Sequence, residues 1–245
     1  RQLNDVLATQ LHAAEESPRP FTVSTLLGYA SRKGLQTDQS YTLRFTSLQA
    51  NLSAYLLQAA QEGGPLAPTR TIELDYFPFE VLSVSWQVDN HPWAGVNSYS
   101  ELSAPYLLAQ VPAPRRISLQ FTSPTTFKSG GKHVPIPLPD LTFGSLLERW
   151  NSFAPISFPT ETKRYAAECL AISRYRLSSR KVPMKSGGLR LGAVGEISYT
   201  SLNYDHYWMS VIATLAEFAL FSGVGVSTTL GLGQCKRIKI YMEAE

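Results

Sequence analysis

The sequence predicts an α+β protein built from two tandem ferredoxin-like, RRM-like units (βαββαβ), and three observations predict it. Short apolar runs alternate with polar residues, as in Tyr41-Leu43-Phe45 and Ile117-Leu119-Phe121, which is the period of a half-buried strand. Other runs repeat at helical spacing, as in Leu146-Leu147-Trp150-Phe153. Finally, the order strand, helix, strand, strand, helix, strand is legible in the second half, and the first half repeats it without its first strand.

Leu3, Val6, Leu7 and Leu11 make one face of a helix over residues 1–14. Pro18 and Pro20 end it, and residues 21–26 can then run as a strand. The alternation at Tyr41–Phe45 gives the next strand. A helix follows over about Leu48–Gln61, closed by Gly63 and Gly64. Ile72, Leu74 and Tyr76 alternate again, and residues 81–86 are expected to extend that strand or pair with it. Residues 88–114 are rich in Pro, Ser and Asn, lack a period, and read as an irregular connection. The chain opens on Arg1 inside a helical pattern, so the missing first strand is expected upstream of it. The boundary is placed at 110/111, giving domains 1–110 and 111–245.

In the second half the Ile117 strand comes first, followed by a Gly/Pro loop at Gly130 to Pro139. Asp140 can cap the helix that carries Trp150. Strands are expected around 165–177 and 192–200, then a helix over about Tyr204–Phe221 with Trp208, Val211, Ile212, Leu215 and Phe218 in phase. The last strand should turn Ile238 and Ile240 inward and Arg237 and Lys239 outward.

Composition narrows the function. Hydrophobic residues make up 44% and charged residues 17%, ordinary for a globular chain. No apolar run approaches the ~20 residues of a membrane helix. Two cysteines, Cys169 and Cys235, are too few for a disulfide scaffold or a thiolate metal site and suit a reducing cytoplasm. The four histidines, His12, His91, His133 and His206, show no ligand spacing. Neither metal nor cofactor is expected. The formal charge of +3 is only mildly basic, but residues 163–190 concentrate Lys163, Arg164, Arg174, Arg176, Arg180, Lys181, Lys185 and Arg190. That segment is either a solvated strand face or a phosphate-tracking groove.

The long helix runs into Gly223-Val-Gly225, five residues, and Gly231-Leu-Gly233, just before the last strand. A helix cap and a bulged strand start would use one or two of these glycines. Four glycines also suit a backbone nest that admits an anion closely. No strand–loop–helix order is present, which excludes a P-loop or a Rossmann turn.

This glycine pattern resembles the CRISPR-associated endoribonuclease family that processes precursor CRISPR RNA (Cas family six, within the RAMP superfamily). Leu11-His12 followed by Pro20-Phe21-Thr22-Val23-Ser24 is similar to that family's catalytic segment. Residues 121–127, Pro137-Leu138-Pro139 and Leu146-Leu147-Glu148-Arg149-Trp150-Asn151 are similar to its middle region. The resemblance implies a metal-independent endoribonuclease in which a ribose 2′-hydroxyl attacks the adjoining phosphate. His12 would move a proton, and Arg19 would stabilise the crowded phosphorane. It further implies RNA contacts from Gly223, Gly225, Gly231 and Gly233, from Ser227, Thr228 and Thr229, from Lys236 and Arg237, and from the basic segment. The expected partner is CRISPR repeat RNA, its hairpin and 3′ flank, with other effector-complex subunits as further partners. Two departures stand out. Residues 226–230 carry no Lys or Arg where family members usually have one, and no residue matches the tyrosine that some members place upstream of the histidine. Two other readings remain open: a non-cutting repeat-binding subunit, and a β-rich protein–protein adaptor.

Overall fold

The computed structural model describes residues 18–29, 34–183 and 188–238. His12, Lys185, the helix expected over residues 1–14 and the Lys239-Ile240 end of the last strand lie outside them. The chain divides into two compact units. One holds Ser47–Ser98 with the residues up to Pro20, and the other holds Phe21–Thr46 with Tyr99–Glu245.

The first unit contains helix α1, Ala50–Ala60, which buries Leu52, Ala59 and Ala60. It also contains a two-stranded hairpin, β3 (Thr71–Leu74) with β4 (Phe77–Glu80), paired from Thr71–Glu80 to Leu74–Phe77. Of residues 81–86, expected to extend this strand or pair with it, Val81 continues the ladder by bonding to Thr69 and Arg70, while the strand's partner is β4. Asp75 and Tyr76 both take left-handed φ values, 51° and 69°, so the chain reverses at once in a tight two-residue turn.

The second unit carries a four-stranded antiparallel sheet: β5 (Arg116–Thr125), β8 (Leu170–Pro183), β9 (Leu189–Ser201) and β10 (Cys235–Ile238), in the order β10-β5-β9-β8. With helices after the first and third of these strands, this is the ferredoxin-like order that the sequence predicts. Ile117, Leu119 and Phe121 are fully buried on one face of the central strand, as their alternation requires. Pro124 sits at a bulge where β5 breaks register between Phe121 and Thr125, so its missing N–H interrupts no ladder.

The helices covering this face are α2 (Tyr99–Leu107), α3 (Pro139–Phe153), α4 (Glu161–Cys169) and α5 (His206–Ser222). Trp150 is the hub of their core. Its indole stacks on Phe158 at 4.8 Å, meets Phe218 and Tyr99 edge-on at 5.2 Å each, and donates Nε1–H to the Ile156 carbonyl. Asp205 caps α5 by accepting from the Trp208 N–H at 3.0 Å.

Several expectations change here. α2 falls inside the stretch read as irregular, because Pro105 and neighbouring serines hide a helix held by burying Leu102 and Tyr106. Asp140 is not the cap of α3. Leu138 occupies that position, Pro139 leads the helix, and Asp140 lies in its first turn. Residues 161–169 form α4, not the start of a strand, since Thr162, Tyr165 and Ala166 share one buried face. Lys163 and Arg164 of the basic segment are therefore helical, and Arg164 forms an exposed i,i+4 pair with Glu168. In β10 the alternation is reversed. Cys235 is fully buried opposite Phe121, which turns Arg237 toward the helices and Lys236 and Ile238 to the other face.

Two short strands stand apart from the sheet: β1 (Phe21–Val23) pairs with β2 (Phe45–Ser47), with Thr22 and Thr46 hydroxyls 2.6 Å apart. Ser24, just after β1, bridges in parallel to Gly231.

Candidate functional site

The glycine segment is a tightly bonded loop between α5 and β10. Gly223 ends α5 with φ 62°, and a 3-10 turn over Thr228–Leu230 follows Ser227, which is itself left-handed at φ 59°. Val224 N–H donates to Gly233 O, Gly233 N–H to Pro124 O, and Val226 N–H to Thr126 O. Helix α3 grips the loop through both peptide groups of one residue. Gly225 N–H donates to Ser145 Oγ at 2.9 Å, and Arg149 Nη2 donates to Gly225 O at 2.7 Å. Ser145 and Arg149 are four residues apart, so they lie one above the other on the same helix face.

The four glycines answer to the protein's own atoms. A Cβ on Gly225 would collide with the Thr126 carbonyl, one on Gly233 with the Val224 carbonyl, and one on Gly223 would stand 3.0 Å from Gly233 O. A Cβ on Gly231 would reach within 2.8 Å of Thr25 N, and all four have left-handed φ. Thr228 is buried at 3% exposure, while Ser227 and Thr229 are half-buried. Of the hydroxyls expected to face RNA, those two are the more accessible.

Three arginines are drawn into the architecture around this loop. Arg149 is 7% exposed, and burial pushes its guanidinium down to about 10. Arg44 donates to Gln234 Oε1 and to the Leu220 carbonyl, each at 2.7 Å, closing the last turn of α5; burial also brings it down to about 10. Arg237 pairs with Glu217 at 2.7 Å and donates to the Tyr106 hydroxyl. The sequence singles out only Arg237 of these three, for RNA contact. Arg149 could have been noticed as a charge in phase with the buried face of an amphipathic helix. Arg44 left no such signal.

Among the other expected residues, Arg190 on β9 reaches the glycine loop: its Nη1 donates to Ser227 Oγ at 2.7 Å. Arg174, Arg176, Arg180 and Lys181 are exposed along β8, the sheet's edge. None of them forms an ion pair with another described residue. Charges on an exposed edge also discourage pairing with a second sheet, so this placement alone does not make them a groove. Lys236 lies on the face opposite the helices, and burial followed by the nearby Arg44 lowers its proton affinity. Arg19 is half-buried just before β1 and bonds to no described residue. Among the described residues no group of three or more His, Cys, Asp or Glu is placed to share a metal, and no helix is long and apolar enough to cross a membrane.

The family model for the CRISPR-associated endoribonuclease Cas6 matches residues 119–235, from the first sheet strand through the glycine loop. The chain is 30% identical over 124 residues to a CRISPR-associated endoribonuclease Cas6 of Mycobacterium tuberculosis, covering 50% of this chain and 38% of that protein. It is 27% identical over 128 residues to one from Streptococcus thermophilus, covering 49% of each. These matches thus span less than half the length of either relative. Its structure is similar to a Cas6 product complex (TM-score 0.79, 27% identity, 97% of this chain and 88% of that one) and to Thermus thermophilus Cas6 (TM-score 0.71, 26% identity, 97% and 86%). The likeness runs through both halves and supports a tandem ferredoxin-like fold. The glycine loop pinned between α3 and β1, on the second ferredoxin-like sheet, thus lies in the part of the chain that is similar to CRISPR-associated endoribonuclease Cas6 proteins.

Proposed function

We propose that this protein cleaves precursor CRISPR RNA within its repeats by 2′-hydroxyl attack, without metal, leaving a cyclic phosphate and a free 5′-hydroxyl. The observation that carries the reading is the likeness, over nearly the whole chain, to Cas6 structures that include a product complex and a substrate-mimic complex. The chemistry needs a proton acceptor near the nucleophile, a donor for the leaving oxygen and a fixed positive field for the phosphorane. His12 is assigned the proton transfer and Arg19 the charge stabilisation. Ser227, Thr229, Arg190 and Lys236 are assigned to holding RNA phosphates or riboses, with the basic edge strand extending the contact. A rigid loop supports this role, because donors that need no reordering on binding lose little entropy.

The decisive experiment is incubation of the protein with a repeat RNA in EDTA. Cleavage to a cyclic-phosphate product is expected. Binding without cleavage would instead establish a repeat-binding subunit of an effector complex, and neither would favour an adaptor. In this reading the partners are repeat RNA, through its hairpin and 3′ flank, and other CRISPR effector-complex subunits, and the protein acts in the cytoplasm.

A further inference from the structure

A second hairpin, β6 (Phe127–Ser129) and β7 (Lys132–Val134), projects from the end of β5 beside the glycine loop. Its turn is Gly130-Gly131, both left-handed at φ 54° and 74°, which suits the tightest hairpin reversal. No atom lies within 4 Å of the Cβ position of either glycine, so the turn stands in open space. Phe127 is 3% exposed and anchors one face of the hairpin in the core. Alternation then puts Lys128 and His133 together on the other face, where the register pairs them directly.

Directly opposed like charges weaken a sheet pair, so this pairing is a local cost. A third cation adds to it. Burial first, and then the positive charges of Arg190 on β9 and Lys128 on β6, hold the proton affinity of His133 below its ordinary value. The same Arg190 donates to Ser227 of the glycine loop, and Thr126, at the root of the hairpin, accepts from Val226 N–H of that loop. Thr126 also donates to Val134 O, tying both strands to the root. Three basic groups from three strands thus converge at the edge of the loop.

Resting on the RNA-processing function proposed above, we propose that Lys128, His133 and Arg190 form a phosphate site that clamps the RNA backbone beside the glycine loop and tightens as His133 gains a proton. A bound phosphodiester supplies negative charge there. It raises the proton affinity of His133, so binding takes up a proton and affinity climbs as pH falls, by up to about tenfold per pH unit for one proton. Lys128 and Arg190 add salt-sensitive contacts that do not titrate in this range.

The test is fluorescence anisotropy of the full chain with a labelled repeat RNA whose riboses are 2′-O-methylated, so that no nucleophile is present. Binding is measured at pH 6 and pH 8 across a salt series. Wild type should bind more tightly at pH 6, and His133→Gln should lose the larger part of that gain. Lys128→Ala should lower the slope of log affinity against log salt by about 0.7–0.9. Arg190→Lys should keep that slope, while Arg190→Ala should lower it. If wild type binds RNA and all these variants match it in affinity, slope and pH response, the clamp is wrong and the proposed function stands. If wild type binds no RNA at either pH, the function fails and takes the clamp with it.

Discussion

Replacing Gly225 by alanine tests whether the loop's glycines serve the protein or its ligand. The residue sits at φ 78°, which costs an L-amino acid about 1–2 kcal/mol. The new Cβ would collide with the Thr126 carbonyl, which already accepts from Val226 N–H at 3.0 Å. Moving that carbonyl sacrifices the bond and strands a partly buried donor, about 1–3 kcal/mol more. The sum is about 2–5 kcal/mol, or about 4–20 °C in melting temperature for a chain of this size, at roughly 2–4 °C per kcal/mol. The assay is thermal unfolding by circular dichroism, paired with repeat-RNA affinity measured well below the transition. The melting temperature should fall while the folded protein binds nearly as before. An unchanged melting temperature with lost affinity would refute the reasoning and show that the glycine admits the ligand backbone.

Three further outcomes follow from the same geometry. Arg149→Met keeps the side chain's bulk but removes the charge-assisted bond to Gly225 O, so urea unfolding should show a loss of about 1.5–3 kcal/mol; an unshifted midpoint would mean the bond is incidental. His12→Ala should slow cleavage about 10²–10⁴-fold with little change in binding, and wild-type-like cleavage would remove His12 from the mechanism. Arg174→Ala and Arg176→Ala should each lower the salt slope of RNA binding by about 0.7–0.9 if β8 tracks phosphates, whereas unchanged slopes would leave these arginines as guards of the sheet edge.

The second half was legible because its core is written in local periods. Ile117-Leu119-Phe121 and the Trp208–Phe218 helix show their buried faces without help from distant residues. Illegible elements were those whose faces are made by tertiary contact. α2 carries an internal proline and two serines, and α4 was masked by the basic residues that its outer face exposes. β10 misled for a different reason: two isoleucines at even positions suggested the core face, but a single buried cysteine at an odd position sets it. At the site, the glycines were visible at once, yet their purpose was not. Spacing reveals that small residues are required and cannot say whether a neighbouring carbonyl or an incoming phosphate requires them.

This distinction matters for counting the charge available to RNA. The formal surplus is +3, and the sequence places much of the positive charge near the second sheet. Arg149 is committed to Gly225 O, Arg44 to Gln234 and the end of α5, and Arg237 to Glu217. Their charge acts mainly inward: it fixes the loop's peptide planes and one helix terminus. A rigid loop needs that support because five of its residues, Ser227 and four glycines, hold left-handed φ that would otherwise relax. Near the loop, the outward field then comes from Arg190 at Ser227, Lys236 on β10, Lys128 and Lys132 on the neighbouring hairpin, and the basic residues of β8. The loop itself carries no Lys or Arg between Gly225 and Gly231, so a cation beside it must substitute. Arg190 is the side chain that the structure puts there, 2.7 Å from a loop hydroxyl. Losing its charge should accordingly weaken RNA binding more than losing any one arginine of the β8 edge, because it acts where rigid loop and basic hairpin meet.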